Sequence, residues 1–319
     1  YFIMKYKYIS LTLLAVLATT GRIKAQIIQS APKLMVNITI DQLRTDYLEA
    51  FSPLYGEEGF KRILNNAIVY TNATYPFSPI DRASAMAAIA GGADRLELCS
   101  ALAVGGLTPY EALLWQIRLE SDIPVRCLMR PRAGDFLYTP EEIDMMAMQM
   151  ESLRSAGANG FVIGCLTAEG NLDGKAMAPL LRAADGLGLT LHRCIDVSFD
   201  PVQTYLDAKD LGFNTVLTSG AASNCRLGAQ TIGKLLQLRD EIGGPEVLIG
   251  AGVSAAVIAD FRATHPAARA FHMSGKKDLE SGMVFRRENV PMGLPGLDEW
   301  HIQQTLEENV RAARNALDA

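Results

Sequence analysis

Residues 246–254 read Glu246-Val-Leu-Ile-Gly-Ala-Gly-Val-Ser254: a short apolar run, a turn bracketed by glycines, and a hydroxyl placed to start a helix. A strand that passes through a tight loop into an N-cap within nine residues marks a β-strand handing over to an α-helix. The same rhythm recurs along the chain at intervals of about 25 to 35 residues, which is the length of a βα unit. It predicts seven strands, at 95–99, 124–130, 160–166, 189–195, 214–218, 246–250 and 268–273. Helix starts between them are marked by Thr139-Pro-Glu-Glu142, which is a capping box with proline first, by Asp200-Pro201, and by Ser254. Parallel strands with helices between them leave an open doubly wound sheet or a closed barrel. No G-x-G-x-x-G fingerprint follows the first strand. Gly250-Ala-Gly252 and Met273-Ser-Gly275 end the last two strands, where such barrels commonly hold phosphate. The expected fold class is therefore α/β, a TIM-type (β/α)8 barrel.

Composition narrows the partners. The 319 residues are 49% hydrophobic and 20% charged with a net charge of −5, and the 30 Lys and Arg are scattered. Such a chain can bury a large core but has no basic face for nucleic acid, so a small-molecule partner is expected. Five cysteines, an odd number without a C-x-x-C pair, suggest reduced thiols in a cytosolic setting rather than a disulfide framework or zinc knuckle.

The N-terminal region points elsewhere. Lys5 and Lys7 precede an apolar run at 9–18, and Ile23-Lys24-Ala25 resembles a cleavage site, so residues 1–25 read as a secretory signal too short to span a membrane. The alternative is an ordinary hydrophobic helix. Residues 33–41 are β-rich and are followed by amphipathic runs at 43–55 and 60–66, an α/β appendage ahead of the barrel.

Reacting groups of a barrel sit at the C-terminal ends of its strands, and the unusual polar residues of this chain fall there. Arg130 and Arg132 flank Pro131 and could fork around a carboxylate or phosphate together with Asp135, Ser219, Gly252 and Ser274. Glu97, His192 and Asp196 are the proton-transfer candidates if the chain is an enzyme of lyase or isomerase type. Strand alternation places Cys99 on the side of Glu97, and Cys194 and Asp196 on the side of His192. Two thiols and an imidazole at one mouth form a soft donor set suited to Cu(I) or zinc. Cys127, Cys165 and Cys225 read as small buried hydrophobes. Met145, Met146, Met148 and Met150 fall in one helix at core-packing offsets, although thioethers can also hold Cu(I). His265, beside Pro266, and His301, on a polar terminal helix expected over 298–319, read as solvated.

Six ordered segments carry a resemblance: Gly92-Ala-Asp-Arg-Leu-Glu-Leu-Cys-Ser100, Gly105-Gly-Leu-Thr-Pro109, Arg130-Pro-Arg-Ala-Gly-Asp-Phe-Leu-Tyr138, His192-Arg-Cys-Ile-Asp196, Leu217-Thr-Ser-Gly220 and Ser281-Gly-Met-Val-Phe285. From 84 to 319 the chain resembles the CutC family of copper-homeostasis proteins. The resemblance implies a cytoplasmic TIM-type barrel, often a homodimer, that binds copper as Cu(I), with Cys99 matching a cysteine implicated in the family. A second implicated cysteine belongs to the family's first strand, which is missing or replaced here. Residues 26–83 resemble the truncated start of a secreted alkaline-phosphatase-superfamily protein, with Asp41 at a metal-ligand position and Ser84 near the nucleophile region. Export remains the alternative to a cytoplasmic location.

Seven strands would leave two unpaired edges. The only β-rich candidate upstream is 33–41, where Met35, Asn37, Thr39 and Asp41 alternate with Val36, Ile38 and Ile40, so this segment is expected to pair beside 95–99.

Overall fold

The chain divides into two units, residues 1–73 and 74–319. The computed structural model describes residues 81–287, 290 and 299–319, all in the second unit. The signal-like segment 1–25, the 33–41 strand and Asp41 lie outside the described residues.

The described chain alternates strand and helix. It runs α1 (Arg82–Ala90), β1 (Leu96–Leu98), α2 (Glu111–Arg118), β2 (Val125–Leu128), α3 (Pro140–Ser155), β3 (Gly160–Ile163) and α4 (Gly174–Ala184). It continues with β4 (Gly188–Leu191), α5 (Pro201–Asp210), β5 (Thr215–Thr218), α6 (Ala229–Ile242), β6 (Glu246–Ile249), α7 (Ala255–Thr264) and β7 (Ala270–Phe271). The seven strands form one parallel sheet in sequence order, each paired with the next, so all seven expected strands are present. The chain is a TIM-type α/β barrel with seven strands described.

Side-chain parity explains how the sheet is filled. Val125, Cys127, Met129, Phe161, Ile163, Leu189, Leu191, Val216, Val247 and Ile249 belong to the core packed under the helices. Their alternate neighbours face the barrel interior. There Arg126 reaches from β2 to Thr190 Oγ1 at 2.6 Å on β4 and Thr215 Oγ1 at 3.1 Å on β5. Two inward glycines make room for it: a Cβ on Gly188 would stand 2.6 Å from its Nη2, and one on Gly160 3.1 Å from its Cγ. Burial, together with the charge of Arg95 and despite that of Glu97, pulls Arg126 from the usual 12.5 down to about 10.

The helices form where their sequence signals stand. Thr139 caps α3 through the Glu142 amide while the Glu142 carboxylate accepts from the Thr139 amide, and Ile143, Met146, Met150 and Leu153 bury one face of that helix. Met146 and Met150 are core residues and Met148 is exposed, so the methionines do not form one cluster.

The last expected helix differs. Residues His301–Thr305 form β9, antiparallel to β8 (Lys276–Glu280), and helix α8 begins only at Glu307. His301 is therefore a strand residue opposite Glu280. Pairing to β8 outweighs the local polar pattern, as tertiary context commonly does for strands.

Between β1 and β7 lies a cavity of about 400 Å³, lined by Leu96, Glu97 and Leu98 on one wall and Ala270, Phe271 and His272 on the other. Leu96 N–H donates to Pro124 and His272 N–H to Ile249, so Glu97 and Phe271 turn their backbone groups toward this space. Glu97 and His272 nonetheless approach across it to 3.5 Å, which shows how far the sheet has curled. No helix among the described residues is long and apolar enough to cross a membrane.

Candidate functional site at the barrel mouth

Arg130 follows β2 on the inward side and is only 8% exposed. Its Nη1 donates to the carbonyls of Val104 (2.8 Å) and Gly106 (2.9 Å), and its Nη2 to that of Gly134 (3.0 Å). Three carbonyls thus fix the guanidinium, and no carboxylate among the described residues pairs with it. Its Nε–H is buried without an acceptor. Phe136 touches both this guanidinium, at 5.4 Å, and the His192 ring, at 4.7 Å between centroids.

His192 is 4% exposed. Its Nδ1 accepts the Cys194 amide at 3.2 Å; an amide can only donate, so the neutral ring carries its proton on Nε2. That Nε2–H is also buried without a partner. Burial, with the Arg130 charge beside it, holds the imidazole down to about 3 from the usual 6.5. The Tyr138 hydroxyl is a third buried group lacking a partner. Its pKa is raised by burial and by Cys165, against the pull of Arg130 and Arg132. Neither Phe136 nor Tyr138 has a sequence signal beyond membership of the 130–138 segment.

His192 makes stability pH-dependent with a definite sign. The folded ring stays neutral while the unfolded ring gains a proton below about 6.5, so folding stability falls as pH drops through that value toward 3. By pH 5 the loss is about 2 kcal/mol. Denaturant titrations at pH 7 and pH 5 should show this difference in the natural chain and a smaller one in His192→Asn; equal differences would mean that the folded ring is protonated.

The other candidates are engaged elsewhere. Arg132 donates to Glu142 at 2.6 Å, pairs with Asp135 at 3.0 Å, donates to Leu137 O at 2.8 Å and lies over the Tyr138 ring at 5.1 Å. It clamps the loop after β2, and Asp135 is exposed at the edge of that clamp. The Asp196 carboxylate accepts from Thr218 Oγ1 (2.6 Å), Ser219 N and Oγ (both 2.9 Å), Ala221 N (3.0 Å) and Arg193 Nε (2.7 Å). It therefore fixes the turn after β5, where Ala221 has φ +58°, and Ser219 is held within that network. Gly252, at φ +79°, packs near Asn224, and the Ser274 carbonyl accepts Thr305 Oγ1 at 2.8 Å on the β9 side. Glu97 lies deeper, bonded by Arg95 at 2.8 Å and Thr190 at 3.3 Å. Ser84 Oγ accepts the Thr305 amide at 3.1 Å. His265 is half-buried against Phe261, at 5.4 Å between centroids.

The alternation argument does not carry through to Cys194 and Asp196. The chain leaves β4 at Leu191, and Arg193–Val197 is a 3₁₀ turn, which does not alternate faces. Cys194 packs into the core beside Cys165, and burial raises its pKa well above normal. The Cys99 thiol is pushed up to about 12, first by burial and then by Glu97. Cu(I) takes thiolates, so its binding here would displace the protons that burial favours on these thiols. Among the described residues no three His, Cys, Asp or Glu side chains are grouped to hold a metal ion.

Comparison with known proteins gives the family. The sequence model of the CutC family matches residues 80–277. A CutC family protein of Chromobacterium violaceum is 40% identical over 237 residues, covering 74% of this chain and 94% of the relative. One from Vibrio cholerae is 36% identical over 234 residues, with 73% and 91% covered. A solved structure from Streptococcus agalactiae, described as a candidate copper homeostasis protein CutC, is 28% identical with a TM-score of 0.52 and covers 56% of this chain and 87% of its own.

Proposed function

Because this chain belongs to the CutC family of copper-homeostasis proteins, we propose that its barrel binds a small carboxylated or phosphorylated molecule at the C-terminal mouth, with Arg130 as the anchoring cation. One observation carries this reading: Arg130 Nε, His192 Nε2 and Tyr138 Oη are buried polar groups that lack partners among the described residues. Leaving one such group unmet costs about 1–3 kcal/mol, and a buried guanidinium without a counter-charge costs more. An anionic acceptor within reach of all three would satisfy them. Glu97, His192 and Asp196 do not share one reaction centre, so the reading is of a binding site and assigns no proton transfer.

Copper binding at Cys99 and Cys194 is the competing reading. Two titrations of the full chain separate them. Acetate or inorganic phosphate, against chloride at matched ionic strength, should raise the unfolding temperature with saturation. Cu(I) titrated against a competing chelator under reducing conditions should show affinity that Cys99→Ser leaves unchanged. A flat anion response with Cu(I) uptake lost in Cys99→Ser would overturn the anion reading.

A further inference from the structure

Resting on that anion site, we infer that its ligand is a monoanionic carboxylic acid rather than a phosphate ester, because the mouth offers one uncompensated positive charge and two neutral donors. Of the arginines at this end of the barrel, Arg132 is paired with Glu142 and Asp135, Arg193 with Asp196 and Arg226 with Asp260. The Arg130 guanidinium is bonded only to carbonyls among the described residues. His192 adds a donor without a charge, since the Cys194 amide occupies Nδ1 and leaves the single proton on Nε2. Tyr138 adds another neutral donor.

A carboxylate matches this inventory in charge and in valence. It carries one negative charge, and its two oxygens offer about four lone-pair sites, enough for the three orphan donors. A phosphate monoester carries between one and two negative charges near neutrality and three acceptor oxygens. Its second charge would enter a buried site without a second cation, which is costly in a low dielectric. Phe136, against both the guanidinium and the imidazole, gives the apolar part of the acid a ring to lie on. The ligand class is thus a small carboxylic acid with an apolar substituent.

Calorimetric titration of the full chain with acetate and with inorganic phosphate, at pH 7.5 and constant ionic strength, tests the choice. Acetate should bind at least about tenfold more tightly than phosphate, and Tyr138→Phe, which keeps the ring and removes the donor, should weaken acetate about five- to tenfold. Phosphate binding as tightly as acetate would overturn the carboxylate assignment while leaving the anion site standing. Acetate affinity unchanged in Tyr138→Phe would overturn the three-donor geometry. Binding of neither anion would remove the underlying site as well.

Discussion

Arg130→Met is expected to weaken anion binding by about a hundredfold and to abolish anion-dependent thermal stabilisation. The methionine fills much of the same volume but removes both the charge and the Nε–H. Truncating one partner of a buried charge-assisted pair typically costs 2–5 kcal/mol, which is this order of effect. Stability in the absence of ligand should change less, because two terms oppose each other. The carbonyls of Val104, Gly106 and Gly134 lose their donor, while an uncompensated buried charge disappears. Arg130→Lys provides the graded comparison: it keeps the charge but cannot span three carbonyls and still present a fourth N–H, so it should bind with intermediate affinity. Titrations of the three proteins with acetate check this. Full stabilisation surviving in Arg130→Met would place the anion elsewhere.

The second large effect concerns the barrel interior. A Cβ on Gly160 would stand 2.2 Å from the Gly188 carbonyl oxygen, a backbone atom fixed in the neighbouring strand. A Cβ on Gly188 would instead meet the guanidinium of Arg126 at 2.6 Å, the far end of a flexible side chain. Gly160→Ala must therefore push β3 and β4 apart and should cost about 3 kcal/mol, the upper end of overpacking penalties. Gly188→Ala should cost about 1 kcal/mol. Chemical denaturation of both variants reads the ordering. Equal costs would mean that the β3–β4 spacing is not fixed by these two glycines.

Most of the architecture could be read from the sequence because each βα unit carries its own punctuation. The runs ending near Leu128 and Ile249 are short, apolar and followed by the caps Thr139 and Ser254, and those elements form where expected. What could not be read depends on partners distant in the chain. His301–Thr305 is a strand because Lys276–Glu280 lies beside it. Arg130 and Arg132 look equivalent around Pro131, yet Glu142, ten residues beyond Arg132, engages one of them and carbonyls engage the other. Cys194 and Asp196 seemed to share a face with His192 only for as long as the strand was assumed to continue past Leu191. Arg126 gave no local signal; its role follows from Gly160 and Gly188, two strands that must first be aligned.

The central claim, that His192 is a neutral donor aimed at an anionic ligand beside Arg130, is tested most directly by nitrogen NMR of the histidine side chains. In the ligand-free chain at pH 7 the His192 resonances should show the proton on Nε2 and a bare Nδ1, and added acetate should move the Nε2–H signal downfield with saturation. A proton on Nδ1, or an Nε2–H signal that saturating acetate leaves in place, would contradict the account.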